Sequence, residues 1–174
     1  AELAKDLEHQ VALSAINVVL DRSVDEALID HEKPDAVILA TGALPMKPPI
    51  PGVDLSHVVQ AWDVLQGKAV TGRRVVVIGG GAVGVETALF LAEKGTLSPQ
   101  ALKFLLINRA EDPEDLYKLA TRGTKEIVVI EMIDKMGKDI GKTTRWGILQ
   151  ELDRKGIETK ATTKALEITE TCVK

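Results

Sequence analysis

The clearest hydrophobic pattern in the chain is a run of four β-branched residues, 75–78, followed at once by a glycine-rich turn and a helix-forming segment. An unbroken run of this kind is typical of a parallel strand covered on both faces. Residues 87–94 favour a helix, and Gly95 follows them as a residue that commonly ends helices. The pattern therefore predicts a strand, a turn and a helix in immediate succession.

The rest of the chain predicts further helices and strands in alternation. Helices are predicted in residues 1–8, 23–31, 61–66, 99–107, 113–122 and 143–155, with Ser23 and Glu26 spaced as a capping box. Strands are predicted in residues 16–20, 36–40, 58–59, 126–131, 157–162 and 165–171. Four prolines between Leu44 and Gly52 exclude regular structure there and predict a stiff, extended connector.

The turn itself has the spacing G-x-G-x-x-G, which dinucleotide-binding folds use between their first strand and first helix. Gly79 allows the tight turn, Gly81 lets the backbone approach a pyrophosphate, and Gly84 lets the helix pack closely on the strand. The helix N-terminus then presents free N–H groups and a partial positive charge to an anion. The alternative is a glycine-rich turn in another kind of α/β protein.

A dinucleotide fold also needs an acidic residue at the end of its second strand, about 20 residues after the glycines. Glu131 ends the next predicted strand, but it lies 47 residues after Gly84. Two helices, each opened by a capping residue and a proline, explain the excess, so residues 96–125 are predicted to be an insertion. Without those 30 residues the spacing is 17.

Glu131 is therefore predicted to accept hydrogen bonds from the adenosine ribose, with Met132 beside it in the cofactor site. A carboxylate there repels a 2′-phosphate and favours NADH over NADPH, although Lys135 and Lys138 follow closely enough to pair with a phosphate. The alternative role for Glu131 is an exposed carboxylate at a strand end. The insertion lies between a helix and the next strand, at the edge of the sheet opposite the ligand. We therefore expect it to pack on another domain or subunit, or to be a solvent-exposed addition.

Composition narrows the class of protein. The chain has 174 residues and a formal charge of −4, and it lacks a basic cluster with interleaved aromatic residues, so nucleic acid is not an expected partner. Its longest apolar stretch is interrupted by glycines and too short for a bilayer, and no secretory signal opens the chain. The single cysteine, Cys172, predicts a reducing, cytoplasmic location and is expected to be a small hydrophobe in a strand.

Several segments resemble a known family. Residues 36–45, which contain Ala40-Thr41-Gly42, and residues 48–53 are similar to the A-T-G motif and connector of the flavoproteins with two dinucleotide-binding domains. Within that superfamily, the inserted helices and residues 137–140 and 144–146 look most like NADH:flavin oxidoreductases of the 2,4-dienoyl-CoA reductase and 2-enoate reductase type. The resemblance implies a Rossmann-like parallel sheet with flanking helices, an inserted helical pair and part of a second, flavin-binding α/β domain.

The resemblance also implies roles for individual residues. Those that hold the NADH pyrophosphate are Gly79, Gly80, Gly81, Ala82, Val83 and Gly84. Glu86 matches a glutamate near the nicotinamide, although it also complements the helix dipole. Ala40, Thr41 and Gly42 match the segment that lines the FAD site, unless they are only a strand end and turn. No residue is predicted to be a catalytic acid, base or nucleophile, and none a metal ligand.

The chain also departs from the family. It lacks the first G-x-G-x-x-G of the flavin domain, the second A-T-G-like segment, and the cysteines and (β/α)8 barrel that carry an iron–sulfur cluster and FMN. We therefore expect a fragment of a larger enzyme, inactive alone, with a dinucleotide, the remaining domains and a second copy as its candidate partners. Residues 1–71 are assigned to a partial FAD-type segment with its connector, and residues 72–174 to the NAD(P)H-binding domain.

The glycine turn and Glu131 predict that the chain binds NADH. The resemblance implies that the parent enzyme delivers the hydride of NADH to a flavin, for reduction of an enoate or enoyl-type substrate. One alternative is the corresponding domain of an NADH oxidase or a ferredoxin-reductase-like flavoprotein. A second is a methyltransferase, which also combines a glycine-rich turn with an acid at the next strand end. A third is a non-catalytic nucleotide-binding or interaction module.

Overall fold

The computed structural model describes residues 2–174, so residue 1 of the first predicted helix lies outside the described residues. These residues form two compact units, one ending at Ala43 and one spanning Leu44–Lys174. The first unit contains helix α1 (Glu2–Leu13) and helix α2 (Glu26–Glu32). Asp25 caps α2 by accepting a hydrogen bond from the Leu28 N–H at 2.9 Å, so the capping box predicted from Ser23 is two residues out of register.

The two strands predicted in the first unit, 16–20 and 36–40, are wrong. Both segments are irregular, and their apolar side chains are exposed, with Ile38 and Leu39 each more than four-fifths accessible. A strand of the buried type is stable only when a neighbouring strand takes up its backbone hydrogen bonds and other elements cover its faces. The described residues of the first unit supply neither.

The second unit is built on a parallel three-stranded sheet. Its strands are β1 (Arg74–Ile78), β2 (Glu126–Ile130) and β3 (Glu158–Lys160), in that spatial order. Its helices are α3 (Ala61–Leu65), α4 (Ala82–Ala92), α5 (Pro99–Asn108), α6 (Pro113–Thr121) and α7 (Lys142–Arg154). This arrangement confirms the predicted Rossmann-like α/β fold. None of the helices in residues 2–174 is long and apolar enough to cross a membrane.

The core of this unit surrounds helix α4, which packs against β1, β2, α3 and α7. Its largest fully buried side chains are Val85 on α4, Val129 on β2 and Leu152 on α7. Aliphatic residues build this core almost alone, in keeping with an aromatic content of 3%. Helix α4 is therefore held on several sides, which fixes the position of its N-terminus relative to the strands.

The two helices predicted within residues 96–125 are present as α5 and α6, and backbone hydrogen bonds close this segment at its base. The Gly123 N–H donates to the Ala92 carbonyl and the Thr124 N–H to the Lys94 carbonyl, both at 2.9 Å. A Cβ at Gly123 would overlap those two carbonyl groups, so only glycine fits there. At the last residue of this segment, the Lys125 ammonium donates to the carbonyl oxygens of Thr71 and Gly72, ahead of β1. The base of the insertion therefore lies at the opposite end of β1 from the glycine turn.

Two further strand predictions in the second unit are wrong. Residues 58–59 are not a strand. Residues 165–171 fold back on the C-terminus with one antiparallel bridge, Ile168 to Val173. Cys172 is exposed in this turn and is not a strand hydrophobe. The Ile168 N–H donates to the Pro51 carbonyl at 2.8 Å, so the proline-rich connector is tied to the C-terminal segment of the second unit. The assignment of the chain to FAD-type and NAD-type segments stays a prediction.

Leu152 provides a test of this core. We expect Leu152→Ala to lower the free energy of unfolding by about 2–5 kcal/mol, because its side chain is 1% exposed and its removal leaves a cavity. The matched control is Leu106→Ala on α5, where the side chain is 59% exposed and the expected change is below about 0.5 kcal/mol. Urea unfolding of both variants measures the difference, and equal losses would contradict the described packing.

Candidate nucleotide-binding site

The glycine turn sits at the carboxyl end of β1 and continues its pairing with β2. The Gly79 N–H donates to the Ile130 carbonyl at 2.9 Å, and Gly79 has a φ of +105°, which favours glycine. A Cβ on Gly84 would overlap the Gly79 carbonyl oxygen, so the first turn of α4 rests directly on the preceding turn. Gly81 precedes α4 as its N-cap and offers no side chain to the free N–H groups of the helix.

Glu131 lies against this turn although it is 51 residues away from Gly80 in sequence. One of its carboxylate oxygens accepts a hydrogen bond from the Gly80 N–H at 2.7 Å, and the other accepts one from the Ile133 N–H at 3.1 Å. The side chain is half-buried. A carboxylate oxygen has two acceptor positions, so each oxygen retains one for a further donor such as a ribose hydroxyl.

The loop after β2 covers the glycine turn from the other side. The Gly137 N–H donates to the Gly80 carbonyl at 2.6 Å, and the sulfur of buried Met136 fills the space that a side chain at Gly80 would need. Further along the loop, both carboxylate oxygens of Asp139 accept from the Ala82 N–H, at 2.9 and 3.1 Å. Ala82 is the first residue of α4.

Sequence reasoning did not assign a role to Met136 or Asp139. Gly80 is not one of the three glycines of the G-x-G-x-x-G pattern, and its own requirement for glycine comes from Met136 and Glu131. A fourth glycine in the turn, at position 80, was the one signal in the sequence that another part of the chain lies close to it. Asp139 belongs to residues 137–140, which carry part of the family resemblance. Its distance in sequence from the glycine turn did not predict a contact with α4.

An open cleft of about 460 Å³ lies between these parts, lined by Gly81, Glu131, Ile133, Lys138 and Asp139. The positive end of the α4 dipole beside Gly81 and the Lys138 ammonium suit an anion, and Glu131 suits hydroxyl donors. The first N–H of α4, that of Ala82, is bonded to Asp139. The residues present therefore fit the ribose and phosphate groups of a dinucleotide. No residue of the insertion lines this cleft.

The remaining predicted residues lie in different surroundings. Val83 and Glu86 are exposed on the first two turns of α4, and Met132 is 66% exposed after β2. Ala40, Thr41 and Gly42 are exposed in the irregular end of the first unit, where a Cβ on Gly42 would meet no atom within 4 Å. By themselves these three residues form no cradle for a flavin.

This fold and cleft define a Rossmann-type nucleotide-binding domain. Residues 5–173 match the family described as pyridine nucleotide-disulphide oxidoreductase, and the chain belongs to that family. It is 47% identical to a metal reductase of Desulforamulus reducens over 140 residues, which cover 80% of this chain and 21% of that protein. It is 37% identical to an NADH oxidase of Thermoanaerobacter brockii over 147 residues, which cover 78% of this chain and 23% of that protein.

A solved structure supports the fold over nearly the full chain. A 2-naphthoyl-CoA reductase superposes with a TM-score of 0.63 and 22% identity, over 95% of this chain and 21% of that one. This likeness shows a shared fold. The chain spans about a fifth of the length of the curated relatives it matches.

Two glycines test the geometry of the turn. We expect Gly84→Ala to lower the free energy of unfolding by about 1–3 kcal/mol and to weaken dinucleotide binding, because its Cβ would collide with the Gly79 carbonyl. Gly147→Ala is the matched control, since a Cβ on Gly147 in α7 meets no atom within 4 Å. Alanine there should raise the free energy of unfolding by about 0.5–1 kcal/mol. Urea unfolding that ranks the two variants in the opposite order contradicts this geometry.

Proposed function

We infer that the Leu44–Lys174 unit binds NADH in the cleft at the glycine turn. In the whole protein, it presents the reduced nicotinamide to a flavin held outside this unit. The observation that carries the inference is the contact between Glu131 and Gly80. It brings a carboxylate that can accept hydrogen bonds from ribose hydroxyls to the same cleft as Gly81, the N-cap residue of α4.

The chain's own contribution is binding and orientation. Bound NADH supplies the hydride, and the residues that surround it hold its adenosine and pyrophosphate so that the nicotinamide takes one position. The α4 N-terminus favours negative charge, and Lys138 adds a cation on the same cleft. Glu131 favours ribose hydroxyls over a 2′-phosphate, because a phosphate at that position would bring two negative charges together.

We assign the whole protein to the enoate and enoyl-type reductases. The support is the resemblance of residues 137–140 and 144–146, and of the inserted helices, to that group. A second candidate is an oxidase, and the 37% identity to the Thermoanaerobacter brockii NADH oxidase favours it. Both candidates need the same NADH site, and the acceptor is selected by parts of the protein outside this chain. Membership of the oxidoreductase family argues against the methyltransferase alternative.

Glu131→Ala tests the ribose role. We expect it to weaken NADH binding about tenfold or more, because hydrogen bonds to a charged group contribute about 1.5–3 kcal/mol each. NADPH binding should fall much less, since the repulsion of its 2′-phosphate is removed with the carboxylate. Calorimetry with both nucleotides gives the ratio of the two dissociation constants.

The matched control is Glu126→Ala. Glu126 is an exposed acid at the other end of β2, and its ion pair with Arg73 is equally exposed. This variant should leave the NADH to NADPH ratio unchanged. If Glu131→Ala weakens the binding of NADH and NADPH equally, the ribose role of Glu131 is wrong. If the folded wild-type chain binds no NADH at millimolar concentration, the proposed function is wrong.

The purified chain should retain no flavin and show no NADH turnover. The reason is that residues 40–42 are exposed and make no cradle among the described residues of the first unit. Visible absorbance of the purified protein, and NADH consumption with added FAD, measure the two expectations. Stoichiometric FAD on the purified chain would contradict the first.

A further inference from the structure

The start of helix α4 is occupied by a carboxylate of the protein itself. Both oxygens of Asp139 lie within hydrogen-bond distance of the Ala82 N–H, at 2.9 and 3.1 Å. The N-cap residue, Gly81, has no side chain to satisfy this end of the helix. A negative group is favoured at the positive end of a helix dipole, so Asp139 acts as the missing cap.

This N–H belongs to the segment that a pyrophosphate approaches in a dinucleotide fold. A carboxylate and a pyrophosphate at the same donor repel each other, because two like charges at hydrogen-bond distance from one N–H lie only a few ångströms apart. The position that a Cβ of Gly81 would take is also only 3.0 Å from an Asp139 oxygen, so the carboxylate fills the approach to the backbone at that point.

The structure allows Asp139 to leave without disturbing the loop that carries it. The loop is anchored two and three residues earlier, by the bond from the Gly137 N–H to the Gly80 carbonyl and by the buried Met136 side chain. Asp139 is exposed, and within residues 2–174 its side chain makes no hydrogen bond or ion pair except those to Ala82. A change of its side-chain rotamer is therefore enough to free the Ala82 N–H.

We propose that Asp139 is an internal anion that closes the phosphate subsite, and that a dinucleotide binds by displacing it from α4. The proposal rests on the proposed NADH site and adds a built-in competitor to it. This displacement lowers the affinity for the dinucleotide. The α4 N-terminus exchanges one anion for another, so it gains less binding free energy than a site without Asp139 would. Lys138 lines the same cleft, where its positive charge attracts either anion.

The test compares Asp139→Asn with Asp134→Asn by calorimetry, using NADH and, separately, inorganic pyrophosphate as probes. Both changes remove one negative charge from the same loop, but Asp134 is exposed and makes no described contact with α4. We expect Asp139→Asn to bind both probes about fivefold more tightly than the wild-type chain. Asp134→Asn should differ from wild type by less than about twofold, because an exposed charge is screened.

Two further measurements keep the proposal testable if Asp139→Asn folds poorly. Asp139→Ser retains a capping oxygen without the charge and should show the same gain in affinity. In the wild-type chain, NMR titration with NADH should move the Ala82 amide and the Asp139 side-chain carboxyl resonances together.

The outcomes separate the two proposals. In one outcome, the wild-type chain binds NADH, Glu131→Ala weakens that binding, and Asp139→Asn binds no more tightly than Asp134→Asn. This outcome overturns the role of Asp139 and leaves the proposed NADH site in place. An Asp139 carboxyl resonance that does not move while the Ala82 amide does has the same consequence. A folded wild-type chain and folded variants that all fail to bind NADH overturn both proposals.

Discussion

The parallel pairing of β1 with β2 is the constraint on which the candidate site depends. Its register places Ile78 beside Ile130, and the bond from the Gly79 N–H to the Ile130 carbonyl continues it by one step. The two strands therefore end together, and Gly80 meets Glu131 across the gap. Because carboxyl ends of parallel strands share one edge of a sheet, a shift of one residue in this register would turn Glu131 away from the turn.

Residues 96–125, the predicted insertion, lie between α4 and β2 in a segment whose two ends meet. Backbone bonds from Gly123 and Thr124 to the carbonyl groups of Ala92 and Lys94 bring the two ends of this segment together just before β2. The entropy of closing a loop rises slowly with its length, so a closed excursion of this kind costs the sheet little. Helix α5 has no buried residue, and its apolar side chains at Phe104 and Ile107 are exposed.

Much of the second unit was predictable because its signals are local. A β-branched run, a turn glycine with positive φ, and a proline after a capping residue each act within a few residues, and β1, α4, α5 and α6 were found from them. The strand predictions in the first unit failed because strands depend on distant partners. Residues 36–40 have the composition of a buried strand, but composition cannot supply the neighbouring strand that would pair with them.

The sequence by itself determined the order of strand, glycine turn and helix, the two proline-capped helices between α4 and β2, and an acid directly after β2. Only the tertiary structure decided what those groups touch. It placed Met136 against Gly80 and the Asp139 carboxylate on the Ala82 N–H, 57 residues away. The reason is physical: local preferences act over a few residues, whereas contacts between distant segments depend on how the sheet and helices pack and which backbone groups remain unpaired.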